Sequence, residues 1–297
     1  MKTLILGCGY LGRRVGRLLL ERGERVFGTV RSKISAHGLE SWGIEPILAD
    51  VLDPGSLSKL PDADRMLYCV GFDRSAGIPM RTVSVDGLRN VLAHLPEGCQ
   101  RIVYAGSTSV YGQTDGDWID ETSLTRPSNE SGRVSLDAER ILWKEAMEHG
   151  LQAVVVRFVG LYGPGRILRR ATLERSEPIA GDPSRFLNLI HIDDAAASAV
   201  AALDRGEEDR VYLACDDRPI ERQEFYSLVA ERIGAPAPRF EPPAPGSPEA
   251  ARDGANRRAS NRRMKAELGV ALRYPDIKVG VPAALASEAT ESKKTEI

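Results

Sequence analysis

The first two thirds of the chain alternate short apolar runs with stretches in which apolar residues recur every three or four positions. Short apolar runs indicate buried strands, and the longer spacing indicates amphipathic helices. Helical stripes occur at Leu11, Val15, Leu18 and Leu19, and again at Leu88, Val91, Leu92 and Leu95. Strands are expected at Thr3–Leu6, Arg25–Val30, Pro46–Ala49, Arg65–Val70, Arg101–Ala105 and Ala153–Phe158.

This alternation predicts an α/β fold built on a doubly wound parallel sheet. Parallel neighbours need crossover connections, and helices supply them on both faces of the sheet. Ligands of such sheets bind beyond the carboxyl ends of the strands. The loops that follow the strands therefore carry the candidate chemistry.

A glycine-rich turn follows the first predicted strand. Gly7, Gly9 and Gly12 form G-x-G-x-x-G between an apolar strand and an amphipathic helix. The first glycine permits the tight turn, the second lets backbone approach a pyrophosphate, and the third lets the helix pack on the strand. Free N–H groups at the helix start, around Tyr10 and Leu11, then face the phosphates. This order of elements predicts a Rossmann-type dinucleotide-binding domain.

The end of the second strand distinguishes the two nicotinamide dinucleotides. An acidic residue there binds the ribose 2′-OH of NAD, whereas an arginine accommodates the 2′-phosphate of NADP. Arg31, Ser32 and Lys33 occupy this point, and no carboxylate lies between Arg25 and Leu39. Positive charge attracts a phosphate, and a serine hydroxyl can donate to it. We therefore predict NADP as the cofactor, with NAD as the alternative.

Two further strand ends add candidate cofactor contacts. Asp50, after the third strand, could accept a hydrogen bond from an adenine amino group, with the Val51 backbone alongside. It could equally cap the helix that follows. Cys69 and Gly71, after the fourth strand, lie beside the expected path of the cofactor.

The alternation of strand and helix patterns becomes irregular after about Gly163, which indicates a second, smaller lobe. The stretch "APAPRFEPPAPGSPEA" (235–250) is too rich in proline for a regular helix or a central strand. We expect an NADP-binding domain of residues 1–165 and 188–215, and a carboxyl-terminal substrate lobe of residues 166–187 and 216–286. The polar segment 287–297 is expected to be a frayed tail.

Composition limits the classes of protein and partner. The chain has 297 residues, of which 42% are hydrophobic, and its net charge of −2 gives no basic field for nucleic acid. No run of about 18 apolar residues occurs, so no membrane span is expected. Four cysteines without a CxxC pair indicate neither a disulfide framework nor a metal site. We expect a cytoplasmic protein with a small-molecule substrate; the sequence leaves its oligomeric state open.

Further motifs resemble one known family. The segments "SVDGLRNVL" (84–92), "YAGSTSVYG" (104–112), "RFVGLYGPG" (157–165) and "IHIDDAA" (190–196), with the glycine-rich turn, are similar to those of the extended short-chain dehydrogenases/reductases, the NAD-dependent epimerase/dehydratase family. The resemblance covers residues 2–285. It implies a nucleotide-binding domain with a small carboxyl-terminal substrate lobe, in enzymes that often act on nucleotide sugars.

The resemblance also implies a catalytic set, which this chain carries only in part. The family uses a serine or threonine after the fifth strand and a Tyr-x-x-x-Lys pair whose cation favours the phenolate needed for proton transfer. Ser107 matches the serine. Ser131 and Ser135 stand where tyrosine and lysine are expected, eight and four positions before the acidic Glu139. The chain thus resembles the atypical YeeZ-like group, which begins with a similar "GCGYLG" and lacks the tyrosine.

Serine hydroxyls cannot take over these roles, because an alkoxide is much harder to form than a phenolate. One interpretation is an NADP-dependent oxidoreductase or epimerase whose acid/base group comes from elsewhere, with Ser107, Tyr111 and His191 as candidate catalytic residues. Asp73, Arg74 and Tyr162 are further possibilities. A second interpretation is a sensor of NmrA-like type that binds NADP(H) without turnover. A third is a scaffold with a vestigial pocket.

The last third of the chain offers one clue to the substrate. The segment "NRRASNRRMKAELG" (256–269) is expected to place Arg257, Arg258, Arg262 and Arg263 on adjoining turns. They could pair with a phosphate or carboxylate, or equally form a solvated helix face. We expect an anionic or sugar-nucleotide-like small molecule. In "IHIDDAA", Asp193 and Asp194 are expected to cap a helix over 195–203.

Overall fold

Strands and helices alternate through most of the computed structural model, which describes residues 1–295. The strands are β1 (Lys2–Leu6), β2 (Arg25–Val30), β3 (Glu45–Leu48), β4 (Arg65–Tyr68), β5 (Arg101–Ser107), β6 (Trp118–Ile119), β7 (Gln152–Phe158), β8 (Gly160–Tyr162), β9 (Ile179–Ala180), β10 (Phe186–Leu187), β11 (Leu189–His191), β12 (Arg210–Ala214), β13 (Ile220–Glu221), β14 (Phe240–Glu241) and β15 (Arg258–Ala259). The α-helices are α1 (Tyr10–Leu20), α2 (Lys33–Glu40), α3 (Pro54–Leu57), α4 (Gly87–Leu92), α5 (Glu130–His149), α6 (Arg170–Glu174), α7 (Ile192–Arg205), α8 (Arg222–Ile233), α9 (Pro248–Asp253), α10 (Arg262–Leu268) and α11 (Ile277–Thr295). Short 3₁₀ turns at Arg74–Ala76 and Thr108–Val110 and a π-helical turn at Thr82–Asp86 complete the connections.

The main sheet has seven strands in the order β12-β7-β5-β4-β1-β2-β3, and every neighbouring pair is parallel. The predicted α/β class is confirmed, and all six expected strands are present with ends shifted by a residue or two. The seventh, β12, was not predicted, although residues 211–214 form a short apolar run. Since all seven strands run the same way, their carboxyl ends lie along one edge.

Apolar side chains fill both faces of this sheet, as a doubly wound fold requires. Alternate residues of each strand point to opposite faces, so Ile5, Leu67 and Val103 join one cluster with α1, α7 and α10. Their neighbours Leu4 and Met66 join a second cluster with α3, α4 and α5.

A third apolar cluster lies in the carboxyl-terminal part of the chain. Its members come mainly from α6, α8 and α11 and include Tyr162, Phe225 and Val281. The proline-rich segment forms only the two-residue strand β14, paired with β9, and the short helix α9, which begins at a proline. This cluster is the hydrophobic core of the expected substrate lobe; the boundaries of the two domains remain a prediction.

The segment expected to be a frayed tail, 287–297, overlaps the last turns of helix α11. Helix α11 continues through Thr295, and residues 296–297 lie outside the described residues. The helix starts inside the third apolar cluster at Ile277, so packing stabilises its first turns and the polar turns extend them. Glu288 also accepts hydrogen bonds from the Gly165 N–H and from Arg170. Within residues 1–295, no helix is both long and apolar enough to cross a membrane.

The contact between α11 and β8 leads to a first prediction. A Cβ on Gly280 would overlap the buried phenol of Tyr162, whose Cζ would lie 2.8 Å away. Gly280→Ala should therefore lower the free energy of unfolding by about 1–3 kcal/mol, although alanine is ordinarily the better helix former. Urea unfolding measures this difference.

Gly38→Ala is the matched control, because Gly38 also lies in a helix but a Cβ there meets nothing within 4 Å. That variant should be as stable as the wild type or slightly more stable. Equal stabilities for the two variants would contradict the close packing of Gly280 on Tyr162.

Candidate functional site

The glycine-rich turn has the geometry that its sequence predicts. Gly7 has φ +79°, and a Cβ on it would lie 2.5 Å from the Val70 Cα, so the turn passes directly over the end of β4. A Cβ on Gly12 would lie 2.9 Å from the Ile5 side chain, so α1 packs closely on β1. No side chain caps α1 at Gly9. The first N–H groups of α1 are therefore left for a ligand, which is the arrangement that binds phosphates.

A cavity of about 720 Å³ opens beyond this turn. Most of the predicted cofactor residues line it, namely Gly7, Gly9, Arg31, Ser32, Asp50, Val51 and Gly71. Tyr10, Leu11, Gly12 and Cys69 lie beside the cavity rather than in its lining: three begin α1, and the Cys69 thiol donates to the Gly7 carbonyl oxygen at 3.4 Å. The structure thus brings the ends of β1 to β4 together around one dinucleotide-sized space.

Two cations lie at the β2 side of this cavity. Arg31 Nη2 is 3.8 Å from Asp73 Oδ2, and both side chains are about half exposed. Arg13, in the first turn of α1, also lines the cavity and was missed in the sequence analysis. Its place directly after the third glycine was the available signal. Ser32 caps α2, where its Oγ accepts a hydrogen bond from the Ser35 N–H.

The two alternatives for Asp50 are also separated by the structure. Its Oδ1 accepts a hydrogen bond from the Leu52 N–H at 2.9 Å, and the following helix α3 is capped by Asp53 instead. Asp50 therefore does not cap α3, and it lines the cavity at the end of β3.

Ser107 ends β5 beside the first turn of α5. Its Oγ accepts a hydrogen bond from the Ser109 N–H at 3.1 Å. Across the interface, Ser109 Oγ donates to Ser135 Oγ at 3.3 Å, and Ser135 Oγ donates to the Ser131 carbonyl oxygen at 2.9 Å. A Cβ on Gly132 would overlap the Ser109 carbonyl oxygen, so the helix lies directly against this loop. Helix α5 is therefore a wall of the site, with two serines where the family's tyrosine and lysine would stand.

Tyr111 belongs to a buried charged cluster. Arg157 Nη1 donates to its phenolic oxygen at 2.7 Å, and the same guanidinium makes two hydrogen bonds, of 3.0 and 2.7 Å, to Glu139. Burial raises the pKa of Tyr111 to about 12, although the neighbouring Arg157 acts in the opposite direction. Its ring is only 1% exposed, which argues against contact with a substrate.

His191 is the N-terminal cap of α7. Its Nδ1 accepts a hydrogen bond from the Asp193 N–H at 3.3 Å, and its ring packs 3.9 Å from that of Tyr274. Burial lowers the pKa of His191 to about 4, so it is neutral at physiological pH. The expectation that Asp193 and Asp194 cap this helix is wrong, because α7 begins earlier, at Ile192. Asp194 instead accepts two backbone N–H groups, of residues 273 and 274.

A second cavity, of about 450 Å³, opens beyond β5 and at the start of β8. Thr108 and Gly160 line it on the sheet side, and three arginines line it elsewhere: Arg169, Arg222 and Arg257. Arg257 Nη2 donates to the Thr108 carbonyl oxygen at 2.9 Å. Burial lowers the pKa of Arg257, and no carboxylate of the described residues contributes to that pKa or pairs with it. This guanidinium is a desolvated cation beside residues 107–109, called the Ser107 loop from here on.

The expected arrangement of the four arginines is wrong. Arg257 and Arg258 lie before and in β15, and only Arg262 and Arg263 lie in α10. Strand β15 forms because it pairs with β6, a long-range contact that helical spacing does not reveal. Arg258 Nε donates to the Gly116 carbonyl oxygen, and its guanidinium packs against the Trp118 ring.

Comparison with known proteins decides the family. The model of the NAD dependent epimerase/dehydratase family matches residues 3–215, which include the glycine-rich turn, the Ser107 loop and α5. The chain belongs to this family. The match confirms the resemblance found in the sequence, and it covers well over half of the chain.

Individual members of the family extend the comparison. Protein YeeZ of Escherichia coli K12 is 29% identical over 93% of this chain and 97% of its own length. A conserved protein of unknown function from Silicibacter pomeroyi has a structure with a TM-score of 0.76, 30% identity and coverage of 96% and 98% of the two chains. A Bacillus cereus UDP-glucuronic acid 4-epimerase, solved with UDP-glucuronic acid and NAD, has a TM-score of 0.81 at 20% identity, over 98% of this chain and all of its own. At that identity it shows the common fold alone.

His191 generates a prediction about pH. Its pKa is about 4 in the folded chain and about 6.5 in the unfolded chain. Between these pH values the unfolded chain binds a proton that the folded chain does not, so the free energy of unfolding falls as the pH drops through this range. His191→Asn keeps an N-cap acceptor but removes the titration. Urea unfolding at about pH 7 and about pH 5 should show a smaller loss in the variant than in the wild type.

The absolute stability of His191→Asn should be lower at both pH values, because the variant loses the packing against Tyr274. Only the difference between the two pH values tests the titration. Equal losses in variant and wild type would mean that His191 does not titrate as its burial indicates.

Proposed function

We propose that this member of the epimerase/dehydratase family binds NADP(H) along the glycine-rich turn and acts as an oxidoreductase or epimerase on an anionic small molecule. The observation that carries the proposal is the placement of the two cavities. One opens beyond β1 to β4, and the other opens beyond β5 and at the start of β8, with the partly buried Arg257 in its wall. Because β4 and β5 are neighbours in the sheet, the two cavities open at adjacent strand ends.

The residues around the first cavity fit a dinucleotide. The uncapped N–H groups of α1 would hold the pyrophosphate, and Gly7 and Gly12 allow the close approach that this needs. Arg31 and Arg13 supply positive charge for a 2′-phosphate, which supports NADP over NAD. Asp50 would then lie at the adenine end.

The chain's own part in the reaction is to hold the substrate and guide a proton. A nicotinamide cofactor, when bound, supplies or accepts the hydride. Ser107 is the candidate for the substrate oxygen, because its Oγ accepts from the Ser109 N–H and its own proton is then free for a ligand. Tyr111 and His191 are weaker candidates, since both residues are only 1% exposed; Tyr111 is hydrogen-bonded to Arg157, and His191 uses its Nδ1 to cap α7. Arg257 would pair with an anionic group of the substrate.

The proposal assigns the cofactor to residues 1–165 and 188–215 and most of the substrate contacts to 166–187 and 216–286. The third apolar cluster, whose members lie mainly in the second set, supports this division. The four cysteines are free thiols, which supports a reducing compartment such as the cytoplasm.

One observation favours a second candidate function, a sensor that binds NADP(H) without turnover. Ser135 uses its hydroxyl to bond the Ser131 carbonyl and accepts from Ser109, so the place of the family's lysine holds no cation. A site that keeps its phosphate-binding turn but lacks this pair suits binding better than proton transfer.

Fluorescence titration with NADPH and NADH tests the cofactor. Wild type should bind NADPH more tightly than NADH. Arg31→Ala should weaken NADPH binding by about tenfold or more, since charge-assisted contacts to a phosphate are lost, and should leave NADH binding nearly unchanged. Arg17→Ala is the control, because Arg17 is exposed on α1 and pairs with Glu21 outside the cavity. An equal loss for both cofactors would count against a 2′-phosphate contact.

Oxidation of NADPH by a panel of phosphorylated keto-sugars, sugar nucleotides and keto acids separates the enzyme from the sensor. The enzyme should turn over at least one of them, and Ser107→Ala should lower kcat by about a hundredfold or more without changing NADPH affinity. Tight NADPH binding without turnover of any of them would support the sensor instead.

A further inference from the structure

The three arginines of the second cavity differ in their partners. Arg257 donates a hydrogen bond to the Thr108 carbonyl oxygen, whereas the other two form ion pairs with carboxylates of one short helix, α9. Arg169 Nη2 lies 3.3 Å from Glu249 Oε1, and Arg222 Nη1 bonds Asp253 Oδ1. Two of the cations that line the cavity are thus neutralised by the chain itself, and the third is not.

Asp253 lies in a cradle of donors. Its Oδ1 accepts the Asp182 N–H at 3.0 Å in addition to Arg222, and Arg185 Nε is 4.0 Å from its Oδ2. Gly181 leaves room for this contact, because a Cβ there would lie 2.7 Å from Asp253 Oδ1. Arg185 Nε is buried and makes no hydrogen bond among the described residues, and it lies closer, at 3.5 Å, to Asp182 Oδ2. Two guanidinium groups and a backbone N–H around one carboxylate form an arrangement that suits an anion.

Among the described side chains of α9, Glu249 and Asp253 hold the helix by charge. The chain before it contains three prolines, at 242, 243 and 245, and Gly246 with φ +75°; the helix itself begins at Pro248, and Gly254 follows it. Among residues 242–257 with described side chains, none belongs to the three apolar clusters. The Arg169–Glu249 pair is about one third exposed on each side, where an ion pair contributes little to stability. The Arg222–Asp253 pair is only 13% and 16% exposed, so an anion that displaces Asp253 has to replace its bonds to Arg222.

We propose that Glu249 and Asp253 occupy a second anion position of this cavity, formed by Arg169 and Arg222, until a ligand with two anionic groups replaces them. One group of the ligand pairs with Arg257 and the other with Arg169 and Arg222, while α9 moves away. The inference rests on the proposed function, in that the second cavity receives the substrate. It narrows the substrate class from an anion to a molecule with two anionic groups.

Calorimetric titration with simple dianions tests the inference. The NADPH-saturated protein is titrated at constant ionic strength with inorganic pyrophosphate and, separately, with succinate; acetate is the monoanion control. At least one dianion should bind more tightly than acetate. Pyrophosphate alone would indicate a diphosphate, and succinate alone would indicate a dicarboxylate. Dianions that bind no better than acetate would overturn the proposal.

Variants identify the position that the dianion occupies. Glu249→Gln with Asp253→Asn removes the internal carboxylates and should tighten dianion binding by about two- to fivefold for each pair removed. Glu174→Gln is the matched control, because Glu174 pairs with Arg170 on α6 and lies outside the cavity lining. Arg257→Gln should weaken binding by about tenfold or more. An unchanged affinity in the double variant would contradict the shared position; if the double variant unfolds, Glu249→Gln alone serves.

Hydrogen exchange gives an independent readout. Ordinary binding slows exchange around a site, but displacement of α9 should speed exchange of residues 248–255 when the dianion is added, while the Ser107 loop is slowed. Slower exchange in both places would show a ligand that binds under α9 without displacing it, against the proposal. Failure of NADPH binding in the separate fluorescence titration would refute the cofactor proposal alone, since the dianion experiments can be repeated without NADPH.

Discussion

The buried ion pair between Arg157 and Glu139 holds together the three elements that surround the candidate catalytic position. Arg157 lies on β7, Glu139 on α5, and Tyr111 follows β5, and one guanidinium bonds both partners. The two charged side chains are 7% and 2% exposed, so either one left alone would be a desolvated charge. This constraint keeps α5 against the sheet whether or not the helix carries a tyrosine and a lysine.

The ion pair keeps the serines of α5 in the position where the family has its acid/base pair. Ser131 and Ser135 lie against the Ser107 loop, so the helix keeps its place while the tyrosine and lysine are replaced. The cation that the family's lysine would supply from α5 is absent there. Arg257, from the carboxyl-terminal part of the chain, instead donates a hydrogen bond to the Thr108 carbonyl oxygen. A positive charge thus reaches this loop from a different part of the chain than α5.

The first and second cavities also differ in the charged groups that line them. Around the glycine-rich turn, backbone N–H groups and two partly exposed arginines face the space, which suits the phosphates of a flexible dinucleotide. Around the second cavity, three arginines line a smaller space, and α9 balances two of them with its own carboxylates. Balancing the charge internally keeps the arginines from being buried unpaired, and it leaves the positions open to an anion that binds more strongly.

Local patterns were enough for six strands of the main sheet, the glycine-rich turn and the family, because each depends on residues close together in sequence. Spacing identifies strands and helices, and the G-x-G-x-x-G motif works through its own backbone. Long-range contacts were beyond such reasoning. β15 exists only through pairing with β6, which separates Arg257 and Arg258 from the α10 arginines. His191 caps α7, and Asp194 is instead engaged by the backbone of residues 273 and 274. Arg257 is a candidate site residue because folding partly buries it beside Thr108 without a carboxylate. Burial and partner choice arise only when distant segments meet, so the chemistry of the substrate side depends on the folded chain.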